Sequence, residues 1–279
     1  ARQGHHVLEP RDILYGHDLF DPLQQESVFN DIQYKRPKLL WIALPCTKWS
    51  TWQRYNYAHR KQQLRRERQK QRKLVHFAVE AAWHQVSMGN EVMFEHPKYS
   101  DMWTDPSMQS FMECEHVVAA DLDMCRYDLR AVTDGGRLRK PTKVVATNPN
   151  LVKELTRTCH GGHEHTPTEG RNTKAAGMCT RTFCKAVIEG YKNTDRSVWF
   201  QPGDHAAAKT TWENYVANNE GDLTATSGNN MSGIEFPENV PAALGKALRR
   251  VHQNLGHPAN HDLARHLKLS GARDQKSVV

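Results

Sequence analysis

Short apolar runs alternate with helix-length stretches through the first two thirds of the chain. That alternation restricts the fold more than any other feature. The clearest run is Leu39-Leu40-Trp41-Ile42-Ala43-Leu44, which ends abruptly in Pro45-Cys46. It is short and bounded by proline, so residues 38–44 read as a buried strand. Residues 60–89 predict one long helix. Its second half carries Leu74, Val75, Ala78, Val79, Ala82, Trp83 and Val86 at helical spacing, an apolar stripe that must dock on something. Gly89 suits the left-handed position just past a helix end. A second apolar strand follows over residues 91–94 and runs into Glu95-His96-Pro97.

The remaining segments fit the same scheme. Residues 7–50 read as strand, helix, strand, with the helix over 22–34 and a turn at Gly16. Further strands are expected over 117–121 and 143–147, the second after a Gly135-Gly136 turn. Shorter helices are expected over 105–112, 151–158 and 179–191. Strands interleaved with helices predict an α/β sheet over roughly residues 7–192. After Lys192 the texture changes to Asn, Gly, Thr, Ala and acidic residues with weak periodicity. Residues 193–240 therefore read as an acidic, disordered linker. Residues 241–279 read as a short helical C-terminal segment.

Charge is distributed unevenly. The net charge is +7, but residues 193–240 hold two basic and seven acidic side chains, which leaves +12 on the rest. A basic body implies a polyanionic partner, most simply nucleic acid. No run approaches the roughly 18 apolar residues of a membrane span, so no membrane partner is expected. Six cysteines show no compact disulfide framework, which favours a reducing, intracellular setting. With 38% hydrophobic residues and Ala at position 1, the chain reads as a core-bearing domain with poorly packed additions, a piece of something longer.

Two residues at strand ends carry chemistry. Cys46 follows the first apolar strand and Glu95 the second, where open α/β sheets place reactive groups. A thiolate can add to C6 of a cytosine while a carboxylic acid protonates N3. The other reading makes Cys46 a buried small hydrophobe and Glu95 a cap. The stretch Pro45-Cys46-Thr47-Lys48-Trp49-Ser50 resembles the proline-cysteine loop of DNA cytosine-5 methyltransferases, and Phe94-Glu95-His96-Pro97 resembles their glutamate motif. Arg139-Lys140-Pro141-Thr142 with Thr147-Asn148 is similar to a segment of phage-type and mobile-element relatives. The resemblance covers residues 10–192. It implies a partial Rossmann-like methyltransferase sheet with flanking helices, Cys46 as nucleophile, Glu95 holding the base, and S-adenosylmethionine as methyl donor. The family's acidic, glycine-rich cofactor loop has no counterpart here. Asp18-Leu19-Phe20 is followed by Asp21-Pro22 rather than glycines, leaving Asp18 as the one cofactor-binding candidate. Either the loop lies in a preceding segment or the domain no longer binds cofactor; the expectation is a domain that has lost methyl transfer.

Three further clusters stand out. Residues 60–73 hold eight basic residues and one acid. Arg60, Lys61, Arg65, Arg66, Arg68, Lys70, Arg72 and Lys73 are candidate phosphate contacts, DNA being favoured; a merely solvated helix face is the alternative. Trp49, Trp52, Tyr55 and Tyr57 lie just upstream, able either to stack on a base or to pack over the sheet. Cys159, His163 and His165 have ligand-rich spacing and could hold zinc if Cys125, Cys179 or Cys184 completes a tetrahedron. Finally, Val251-His252-Gln253-Asn254-Leu255-Gly256-His257-Pro258 resembles the start of the pre-integrase zinc module of copia-type retroelement polyproteins, which implies His252 and His257 as zinc ligands. No cysteine follows position 184, so that module cannot close a tetrahedral site from its own residues. Together these resemblances imply a nucleic-acid-associated segment of a retroelement polyprotein, partnered by the rest of that polyprotein.

Overall fold

The computed structural model describes residues 5–194. A four-stranded mixed sheet lies at its centre, built from β1 (Leu39–Ile42), β2 (Glu91–Pro97), β3 (Val118–Asp123) and β4 (Pro141–Ala146), in the order β1-β2-β4-β3. β1 and β2 run parallel, with Leu39 opposite Glu91 and Ile42 opposite Phe94. β4 pairs antiparallel to both β2 and β3. The parallel pair requires a long crossover, supplied by α3 (Lys61–Ser87). The antiparallel β3–β4 pair is joined by a shorter excursion through Gly135-Gly136. The expected α/β class holds as a mixed sheet with helices.

Each face of the sheet is covered, and period-two alternation sorts the side chains. On β2, Val92 and Phe94 point to one core with Val75, Val79, Trp83 and Phe111. Met93 points to the other, with Leu122, Tyr127, Leu151 and Phe183. On β4, Val145 joins the first core while Val144 and Ala146 join the second. The first core is roofed by α3 and α4 (Pro106–Met112), the second by α5 (Pro149–Lys153), Ala176 of α6 (Arg171–Ala176) and α7 (Arg181–Lys192). Gly190 of α7 is needed for that roof, because a Cβ there would lie 2.7 Å from the Asn150 carbonyl oxygen. α1 (Pro22–Asn30) packs on the back of α3 through Val28, Phe77 and Ala81.

Helix starts follow the capping rule that a short polar side chain takes an orphan N–H. Asp21 caps α1, Asp105 caps α4, Asn148 caps α5 and Thr180 caps α7, the first three followed by proline at the first helical position. Gly89 follows the end of α3 with φ +73°, as expected. Two expectations need correction. No strand forms between residues 5 and 21; a single turn, Ile13–Tyr15, stands there with its apolar side chains exposed. Asp12 accepts from Leu14 N–H, and Gly16 in the left-handed region closes the turn, so local hydrogen bonds replace a ladder here. The helix expected over 151–158 stops at Lys153, after one turn, because Tyr127 draws the following backbone into contacts with the end of β3. Its hydroxyl donates to the Glu154 carbonyl at 2.7 Å, and Asp123 N–H donates to the Arg157 carbonyl at 3.0 Å.

The Thr147-Asn148 pair has a structural role. Thr147 Oγ1 donates to Glu91 Oε2 at 2.5 Å, and Asn148 Nδ2 donates to Glu91 Oε1 at 3.1 Å. The start of β2 therefore carries a buried carboxylate satisfied by the end of β4, as a buried charge requires.

Candidate metal centre and the strand ends

Four donor atoms meet at the far end of the β3–β4 pair. The ligand atoms of Cys125, Cys159, His163 and His165 all lie within 4.8 Å of one another. Cys159 Sγ is 3.6 Å from both His163 Nε2 and His165 Nε2, and the two nitrogens are 3.0 Å apart. A tetrahedron with metal–sulfur bonds of about 2.3 Å and metal–nitrogen bonds of about 2.0–2.1 Å has sulfur–nitrogen edges near 3.5 Å and nitrogen–nitrogen edges near 3.3 Å. Both sulfur–nitrogen edges fit; the nitrogen edge is roughly 0.3 Å short. The donor set suits a divalent cation such as zinc.

The backbone explains why four residues from two distant segments converge. Cys125 is carried on the turn Met124–Tyr127 that ends β3. Cys159, His163 and His165 come from the loop after α5, in which Gly161 and Gly162 adopt φ +90° and +80°. These left-handed glycines let the chain reverse so that the donors at 159, 163 and 165 face one point. His165 is bridged to Arg137 in the manner of a parallel strand, and Thr166 N–H donates to the Arg137 carbonyl at 2.9 Å. The loop comes so close to the hairpin that a Cβ on Gly136 would lie 2.1 Å from Thr166 Oγ1.

A second layer of polar groups fixes the donors, as is usual around metal ligands. Asp123 Oδ2 accepts from Cys159 N–H at 2.8 Å, and Arg139 Nε donates to Asp123 Oδ1 at 3.2 Å. Arg137 Nη1 donates to the Cys125 carbonyl at 2.7 Å. Burial first, then the adjacent Cys159 thiol, push the Cys125 thiol up to about 11. At neutral pH that proton leaves only when a cation takes its place. His163 is held below the usual histidine range by desolvation and then by His165, Arg137, Arg126 and Arg130, which keeps its imidazole neutral and available as a ligand. Of the three cysteines considered as the fourth donor, the fold selects Cys125. Cys179 and Cys184 lie at the start of α7 and stay outside the cluster.

At the same end of the sheet, Cys46 and Glu95 stand at the C-terminal ends of the adjacent parallel strands β1 and β2. Ile42 and Phe94 are the last paired residues; Glu95 is the next residue on β2, and Cys46 lies four residues beyond Ile42. Cys46 is exposed rather than buried, and its carbonyl accepts from Trp49 and Ser50 N–H at 3.1 and 3.0 Å. Glu95 is buried, with Lys140 Nζ donating to its Oε1 at 3.1 Å. The neighbouring His96 ring is buried edge-on against Trp103. Burial, and then Lys140, push its pKa down to about 3, with the Leu44 backbone opposing weakly. Cys179 touches solvent, yet surrounding protein first and the Glu95 charge second push its thiol up to about 11.

The basic helix divides its charges. Arg68 and Arg72 pair with Asp101 and Asp105 at 2.7 and 2.9 Å. The one acid of the segment, Glu67, pairs with Lys48. Arg60 lies over the Tyr57 ring at 5.4 Å. Lys61, Arg65, Arg66, Lys70 and Lys73 are exposed and have no ion-pair partner among the described residues. Asp18 is exposed and accepts from Phe20 N–H at 3.0 Å, closing a local turn. His252, His257 and the segment from residue 195 onward lie outside the described residues.

Sequence reading missed Arg137 and Asp123, and named Lys140 only within the Arg139–Thr142 segment, without its pairing to Glu95; all three support the site residues through space. No family model, curated protein or solved structure matches the chain. No helix among the described residues is long and apolar enough to cross a membrane.

Proposed function

We propose that the chain is a zinc-stapled α/β domain that associates with nucleic acid and does not transfer methyl groups, within a retroelement-type polyprotein. The observation that carries the nucleic-acid reading is the row of five exposed cations on α3, Lys61, Arg65, Arg66, Lys70 and Lys73, left without acidic partners among the described residues. Each such cation that meets a phosphate releases about one counterion. DNA is the favoured polymer on the resemblance to DNA methylases. Zinc is supported by the two-sulfur, two-nitrogen donor set and its edges. With all four positions filled by protein, the role is structural: it would tie the end of β3 to the loop after α5. The polyprotein reading rests on the sequence around His252 and His257 alone.

Filter binding of duplex DNA across a salt series tests the association. The expected slope of log K against log salt is about −3 to −5, at roughly 0.9 per phosphate contact. Absence of binding even at about 50 mM salt would overturn it.

A second reading, an active cytosine-5 methyltransferase, is favoured by one observation: an accessible Cys46 and a Glu95 at neighbouring strand ends. Against it stand the Glu95–Lys140 ion pair and a sequence without a glycine-rich cofactor loop. Calorimetry with S-adenosylmethionine at high micromolar concentration decides; the inactive reading expects no heat.

A further inference from the structure

We propose that the surface formed by the turn after β1, α2 (Gln53–Asn56) and the N-terminal half of α3 is a docking site for single-stranded nucleic acid. Trp52 and Tyr55 are its base-stacking platform. The proposal rests on the nucleic-acid reading above and names the form of polymer that this surface takes.

Trp52 and Tyr55 are 71% and 77% exposed, unusual for side chains that are highly or moderately buried on average. Their ring centroids are 5.8 Å apart with planes inclined at 48°, so two non-parallel faces stand open together. They are not strays on a frayed turn. Arg54, between them in sequence, pairs with Asp101 at 2.6 Å, and the other oxygen of Asp101 takes Arg68 of α3 at 2.7 Å. One carboxylate therefore ties the aromatic turn to the basic helix. The underside is also fixed: Trp49 is buried with the Arg68 guanidinium 5.8 Å from its ring centroid, and Arg68 Nε donates to the Lys48 carbonyl at 2.8 Å.

The same carboxylate opens onto a shallow depression lined by Arg54, Arg65, Arg68 and Arg72 around Asp101 and Asp105. Four guanidinium groups against two carboxylates leave an excess of two positive charges. The acids hold the forks in place, which suits discrete phosphate oxygens. Exposed aromatic faces beside an arginine-lined track are what a single strand needs, since bases stack without regard to sequence and phosphates follow the cations. A duplex keeps its base faces inside the stack and has no use for the aromatic pair.

The test uses the full chain, an oligo(dT) strand, a duplex of equal length and vesicles of anionic lipid, at low salt. Tryptophan fluorescence should be quenched by the single strand. The double variant Trp52→Ala/Tyr55→Ala should lose about tenfold or more of its single-strand affinity, with its thermal midpoint and duplex affinity little changed. Trp52→Phe should recover part of the loss. Equal loss of duplex affinity, or no loss of either, overturns the stacking site while leaving nucleic-acid association standing. Failure to bind either polymer overturns both readings. Binding to vesicles but to neither nucleic acid assigns the surface to a membrane and also overturns the proposal.

Discussion

The two cysteine-bearing sites differ in how their partners are arranged. At Cys125, Cys159, His163 and His165, donors from two segments face each other, and the nearby charged groups, Asp123 and Arg137, hold backbone rather than compete for the donor atoms. At Cys46 and Glu95, the thiol faces solvent and the carboxylate is engaged by Lys140. By motif alone the second site is the more suggestive. By geometry the first is closer to working as it stands, because its donors converge on one point and a cation completes it. Chemistry at the strand ends needs Glu95 to exchange its lysine for a base.

The largest effect should come from breaking the metal cluster. Chelation, or Cys125→Ser, is expected to remove about 4 kcal/mol, as for a ligand present at roughly a thousandfold over its dissociation constant. For a domain of this size that lowers the thermal midpoint by roughly 10 °C. A scan with and without chelator checks it, and an unchanged midpoint contradicts the staple.

Next is acid. His96 is neutral in the fold with a pKa near 3, against about 6.5 in an unfolded chain. The unfolded state binds the extra proton, so this group's contribution is complete above pH 6.5 and is lost as pH falls toward 3. His96→Phe should flatten that part of the stability–pH curve, measured by denaturant titration. A variant curve parallel to the wild type would show that His96 is not responsible.

Lys140→Ala comes third. Leaving the Glu95 carboxylate buried without its cation should cost about 2–3 kcal/mol, near the lower edge of buried-pair losses, and Lys140→Ala/Glu95→Gln should regain much of it. Equal stability of the single and double variants would mean the pair is not coupled. Cys46→Ser should be the smallest change, within about 0.5 kcal/mol, because the side chain is exposed. A larger loss of stability would show that the thiol is packed.

Much of the fold was legible because its segments obey local rules. The β1 run, the apolar half of α3, Gly89 and the β2 run each carry a signal within a few residues. The pairing order was not, since nothing in β4 announces that it inserts between β2 and β3. The metal site was legible in part. His163 and His165 lie within six residues of Cys159, but choosing Cys125 over Cys179 and Cys184 requires knowing which turn ends beside that loop. Lys140 beside Glu95, and Asp101 between Arg54 and Arg68, are long-range pairs of the same kind. The exposed N-terminal turn at Ile13 shows the converse: apolar residues between the Asp12 cap and Gly16 made a turn rather than a strand.

The proposed zinc staple is tested most directly by metal content. The purified chain, measured by inductively coupled plasma mass spectrometry, should carry zinc that is lost in both Cys125→Ser and Cys159→Ser. A folded wild-type chain without zinc, or zinc retained in both variants, would contradict the account.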